Sequence, residues 1–200
     1  MRKITKFYVV LVLLVSFVLG SSITVCAYTI GVEGGIKNPP VALVSYSGFT
    51  PATITAIYYS CQTWNNQACS AIVNSAGWTH NNNVYNKTSR DNENRVTKGE
   101  RDIGTYLMQT HRFKEKTLLG PWRIVEADID INVSYPFDNN GESGSYDIQN
   151  CMTHEVGHMI GLDHSAVPEA TMYESGPIGE TSKRSLSQDD IHGVFYLYGC

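Results

Sequence analysis

A single domain that mixes α-helices with β-strands is predicted from three stretches of this 200-residue sequence. Over residues 123–133, Val125, Ala127, Ile129, Ile131 and Val133 alternate with Glu126, Asp128, Asp130 and Asn132. That period of two puts one face of a strand on a core. Over residues 54–64, Ile54, Ile57, Tyr58, Cys61 and Trp64 recur at helical spacing and predict a core-facing stripe. Near the end, Ser187 reads as a helix cap, with Asp189 and Asp190 in the first turn where the helix dipole favours them. Ile191, Val194, Phe195 and Tyr198 would form that helix's buried stripe, and Gly199 its end. A composition of 42% apolar and 17% charged residues suits one domain with a real core. The formal net charge of −4 offers no basic footprint, so no nucleic-acid partner is expected.

The remaining elements follow in order. Residues 1–27 read as an export signal: Arg2, Lys3 and Lys6 precede an apolar run over 7–19, and Val25-Cys26-Ala27 suits cleavage after Ala27. Export would leave residues 28–200 as a secreted, extracellular domain. The apolar run is shorter than the roughly 20 residues a membrane span needs, so no stable membrane association is expected. An uncleaved anchor and a lipid-modified Cys26 are the alternatives. Residues 28–48 predict an extended arm with a strand near 41–46. Thr50-Pro51 then reads as an N-cap with proline at the first helical position. Residues 74–102 are polar and asparagine-rich, and predict a long surface region with one strand. Residues 103–113 predict another strand. The carboxylates on the polar face of residues 123–133 read as a solvated face rather than as metal ligands.

Residues 138–147 form an acidic, turn-rich loop in which a Ca2+ site is conceivable, although the spacing is not that of an EF-hand. From Ile148 the pattern turns helical, with Asp147 as N-cap and an end at Gly161. After loss of Cys26, four cysteines remain, an even number that favours disulfides in an exported chain. Cys61 and Cys69 are close enough in sequence for a local bridge, which leaves Cys151 with Cys200. Four free thiols are the alternative.

The chemistry is concentrated in residues 154–164, His-Glu-Val-Gly-His-Met-Ile-Gly-Leu-Asp-His. His154 and His158 stand one turn apart on one helix face. Gly161 permits a sharp turn that brings His164 to the same point. Three imidazoles can hold one Zn2+ and leave a fourth tetrahedral position open, the mark of a catalytic rather than a structural site. Glu155, next to the first histidine, is placed to take a proton from water as general base. A buried helix with hydrogen-bonded histidines is the bland alternative, and it must explain three histidines, a glutamate and a glycine together.

This segment resembles the metzincin metallopeptidases and, within them, the matrixins. Ser165 directly after the third histidine fits that subgroup. Ala170-Thr171-Met172-Tyr173 looks like the family's Met-turn, with Met172 as an apolar floor below the zinc. Residues 186–199 resemble the matrixin C-terminal helix, in which Asp189 and Asp190 would anchor the helix to neighbouring backbone. The resemblance implies an α/β (α+β) zincin fold, a twisted, mostly parallel five-stranded sheet with three helices. It also implies zinc-dependent endopeptidase activity on protein or peptide substrates laid along an edge strand within residues 103–113. A monomer is expected.

The length from residue 28 onwards suits a catalytic domain alone. The sequence departs from the family at several points. It shows no cysteine-switch propeptide, and residues 28–49 are too few for the usual prodomain. Only His80 and His111 lie upstream for a second, structural zinc, so one zinc per chain is expected. Glu174 and Gly176 replace the proline and tyrosine that follow the Met-turn, so no side-chain preference carries over. The competing readings are a metzincin of another subgroup and a zinc-binding adhesion module without proteolysis.

Overall fold

A computed structural model describes residues 27–80, 90–99, 105–116 and 118–199, with backbone only over 77–80. Residues 1–26 of the expected signal sequence, which include Cys26, lie outside these residues, as does Cys200. Five strands form the main sheet: β2 (Val41–Tyr46), β3 (Val73–His80), β4 (Asn94–Gly99), β5 (Met108–Lys116) and β6 (Trp122–Asn132). Their order is β3-β2-β4-β6-β5. All neighbours are parallel except β5, which runs antiparallel to β6 at one edge. The described residues contain three α-helices, α1 (Pro51–Asn65), α2 (Ile148–Ile160) and α3 (Gln188–Tyr198). This is the mostly parallel five-stranded sheet with three helices that the resemblance implies.

Helix α1 starts as expected. The Thr50 side chain accepts from Thr53 N, and Pro51 opens the first turn. Its buried seam is Thr53, Ala56, Ile57, Ser60, Cys61 and Trp64, while Tyr58 is exposed. The expected stripe is therefore rotated, because small polar residues occupy places an apolar count skips. Ser60 is satisfied locally: its hydroxyl donates to Ala56 O at 2.9 Å and lies 3.2 Å from Gln149 O of α2. Trp64 Nε1 donates to Thr153 O at 2.7 Å, so a fully buried indole fixes α1 against α2.

Helix α3 is closed by a capping box between Ser187 and Asp190. Val194 and Gly193 are buried and Phe195 is exposed, a second correction to an expected stripe. Tyr198 makes the tie instead. Its hydroxyl donates to Ile160 O at 2.5 Å and accepts from Ile36 N at 2.8 Å, joining α3, α2 and the N-terminal arm. That arm also lays β1 (Thr29–Ile30) antiparallel on β7 (Leu162–Asp163). Ala27, expected to leave with the signal, donates its N–H to Asp189 Oδ1 at 2.8 Å.

The polar region at 74–102 contains two strands, β3 and β4, where one was expected. The polar face of β6 is not solvated. Glu126, Asp128, Asp130 and Asn132 are all buried. Glu126 accepts from the amides of Asp91 and Asn92, and Asp128 accepts from Arg95 N at 3.0 Å. Thr97 Oγ1 donates to Asp130 at 2.8 Å. These carboxylates hold β4 and the segment before it onto β6, replacing solvent with backbone donors.

Burial, the dominant influence, pushes the Asp128 carboxyl up to about 7 from its ordinary 3.8, against the opposing Arg95 N–H bond. A carboxyl raised in the folded state favours folding most when protonated. That contribution is full below pH 3.8 and is lost as pH rises towards 7 and above. Asp128→Asn keeps an acceptor for Arg95 without the charge. It is expected to gain stability over wild type by about 1–2 kcal/mol at pH 8, and by much less at pH 4.5, allowing for partial screening. Denaturant unfolding of both proteins at the two pH values checks this; a difference that does not grow with pH contradicts it.

The cysteines differ from expectation. Cys61 and Cys151 are free thiols, so neither Cys61–Cys69 nor Cys151–Cys200 is formed. Cys61 belongs to the buried seam of α1 and faces the core. Cys151 sits on α2 in the wall of the cavity described below. Burial pushes both thiols up to about 12, which keeps them protonated. Cys69 is disulfide-bonded.

Candidate metal centre

Helix α2 carries the first two site histidines, and its ends are set by local chemistry. Asp147 caps it by accepting from Asn150 N at 2.8 Å, and Arg184 pairs with the same carboxylate. Gly161 ends it with φ 116°, a conformation strained for any other residue. The turn returns the chain through β7 to His164. His154, His158 and His164 thereby each offer a ring nitrogen, all within 4.8 Å of one another. Ring centroids are 4.7, 5.2 and 4.9 Å apart.

The orientation of two rings is fixed from behind. His154 Nδ1 donates to Thr171 O at 2.7 Å, and His158 Nδ1 donates to Leu162 O at 2.9 Å. Each ring is left with Nε2 as its free lone-pair nitrogen. Burial holds both imidazoles neutral, His154 well below its ordinary value and His158 down to about 4. Neutral, back-bonded imidazoles converging on one point are the donor set that zinc takes, so the residues fit the metal.

Beneath the histidines lies the turn around Met172. Met172 is buried, and Ser165 N donates to Met172 O at 2.9 Å. A side chain at Gly157 would meet Met172 Sδ at 2.2 Å and the Trp64 ring at 2.7 Å, so α2 presses directly on this turn. Asp190 receives Thr171 N at 2.8 Å and Met172 N at 3.0 Å, and Asp189 receives the Ser165 hydroxyl at 2.6 Å. The terminal helix thus holds the turn that orients His154, a chain of contacts that the sequence resemblance implies for Asp189 and Asp190.

Glu155 is buried between α2 and β5. Burial pushes its carboxyl up to about 7, opposed chiefly by hydrogen bonding to Thr110. Thr110 Oγ1 lies 2.6 Å from Glu155 Oε2 and 3.0 Å from Glu155 O. Sequence reasoning missed Thr110; it stands within an expected strand, but nothing local marks a threonine as facing a helix 45 residues later. Thr110→Val keeps the shape and removes the donor. It is expected to lower kcat about tenfold with zinc content unchanged, while Thr110→Ser stays near wild type. Equal activity of the valine and serine variants contradicts that positioning role.

All four residues open on one cavity of about 520 Å³. One wall is β5 from Met108 to Thr110, and the other is the loop through Glu174, Gly176 and Pro177. Cys151, Glu180 and Lys183 also line it. The Lys183 ammonium is spent on the wall itself, donating to Tyr173 O at 2.5 Å and Ser175 O at 3.0 Å. Burial lowers its pKa.

Residues 69–199, more than half of the chain, match the matrixin family. Human neutrophil collagenase is 32% identical over 115 residues, 52% of this chain and 24% of that protein. Metalloendoproteinase 2-MMP of Arabidopsis thaliana is 36% identical over 76 residues, 38% of this chain and 18% of its own length. Human matrilysin is 49% identical over 47 residues, 24% of this chain and 18% of its own. The matched parts therefore span about a fifth to a quarter of these relatives. With the site residues inside the matched region, the chain belongs to the matrixin family of zinc metalloendopeptidases.

Proposed function

We propose that this protein is a secreted endopeptidase that hydrolyses peptide bonds, with zinc on His154, His158 and His164 and Glu155 as general base. One observation carries the reading: three imidazoles converge beside a buried carboxyl group in the wall of an open cavity next to an edge strand. Zinc held there supplies Lewis-acid polarisation of the scissile carbonyl and of water. The chain does the rest. The substrate backbone pairs along β5 from Met108 to Thr110, where the strand walls the cavity, and among the described residues no strand lies beside that outer edge. Glu155, steadied by Thr110, takes the proton of the attacking water and returns it to the leaving amine.

Export, with cleavage after Ala27, and a monomeric state belong to the same proposal. Calcium is left out of it. The Asp138 carboxylate already accepts from the amides of Asn140, Gly141 and Glu142, and Asp147 is taken by Arg184 and the α2 cap. The experiment is digestion of a denatured protein mixture by the purified chain, with and without a zinc chelator, and sequencing of the cut sites. Chelator-sensitive internal cuts are expected. Zinc binding without cleavage of any peptide would favour the adhesion reading.

A further inference from the structure

The β5–β6 hairpin ends in a tip whose two leucines are exposed, while Trp122 O beside them accepts from Gly34 N of the N-terminal arm at 2.9 Å. Leu118 and Leu119 are 97% and 99% exposed, and Trp122 beside them is 49% exposed. Scattered surface leucines need no explanation, but two adjacent ones with a tryptophan on a projecting tip form an apolar point. Its surroundings are basic although the chain is acidic. Lys114 and Lys116 are exposed on β5, and Lys116 stands directly opposite Trp122. Arg123 follows Trp122, and Lys37 and Arg90 flank the same end by pairing with Glu115. Two of these five cations pair with Glu115 and Arg123 donates to Gly34 O at 3.0 Å, which leaves Lys114 and Lys116 to supply the basic face, in a chain of formal net charge −4.

We infer that this tip is a docking point for an anionic phospholipid surface. A narrow convex point suits entry of about 5–10 Å into the headgroup boundary. Tryptophan is at home at that boundary, and each nearby lysine or arginine gains from an anionic leaflet. A protein partner is the poorer fit, since a stable interface needs roughly 800 Å² per partner and the tip offers far less. Among the described residues no helix is long and apolar enough to cross a membrane. Docking at the tip departs from the expectation of no stable membrane association. At a rise of ~3.3 Å per residue, the leucines lie roughly 25 Å along β5 from Thr110, so a docked molecule keeps its cavity open to solution.

The test is co-sedimentation of the purified chain with phosphatidylcholine vesicles, with and without phosphatidylserine. Binding to the phosphatidylserine vesicles, weakened by salt, is expected. Leu118→Asp with Leu119→Asp should lower it at least tenfold, and Lys114→Glu with Lys116→Glu should abolish the preference for phosphatidylserine. Both double variants should hydrolyse a soluble peptide as wild type does, which shows that they fold. Wild type that binds neither vesicle, or an aspartate double variant that binds as well as wild type, overturns the inference. So does self-association in the ultracentrifuge that the aspartates abolish while vesicles are not bound, which would make the tip an interface between copies.

Discussion

Glu155→Ala is expected to lower kcat for peptide hydrolysis by about 10²–10⁴-fold while the protein keeps its zinc. Glu155 is not one of the three converging nitrogens, so removing its carboxylate leaves the donor set intact. The fold should survive too. Alanine favours helix, and the change takes an acidic group out of a buried site. What is lost is the group that moves the proton, and with it the acceptor that Thr110 serves. Zinc content and steady-state kinetics on the same preparation check this. A variant with bound zinc and near-wild-type kcat would show that another group is the base.

His158→Ala is expected to fail differently, losing zinc and activity together. His158 supplies one of three nitrogens, and two imidazoles do not make the site that three do. Its ring also holds the turn at the end of α2 through Leu162 O. Because a ligand bound only to the folded state stabilises it, wild type should melt higher with added zinc and the variant should not. Thermal melts with and without zinc, beside peptide hydrolysis, separate this from the Glu155 variant. Retention of stoichiometric zinc by His158→Ala contradicts the ligand assignment.

The site was legible because its parts lie within eleven consecutive residues. Two histidines one turn apart, a glutamate between them and a glycine that turns the chain carry their geometry in their spacing, and the structure places them so. The caps at Thr50, Asp147 and Ser187 were legible for the same reason, since each bonds an amide three residues away. What depended on distant partners was hidden. Glu126 and Asp128 look solvent-facing until the amides of residues 91–95 close over them. β3 and β4 carry polar sequences that become strands through pairing with β2 and β6. Cys61 and Cys69 are near in sequence, but one faces the core from a helix, and spacing alone cannot show that. Thr110 needed β5 and α2 to be brought together before its hydroxyl had a task.

Titration of zinc into metal-free wild-type protein, with peptide hydrolysis followed at each addition, tests the metal-dependent peptidase most directly. Activity should be absent at the start, rise in proportion to zinc and level off at about one equivalent per chain. Full activity of the metal-free protein, or saturation with zinc and no hydrolysis, would contradict it.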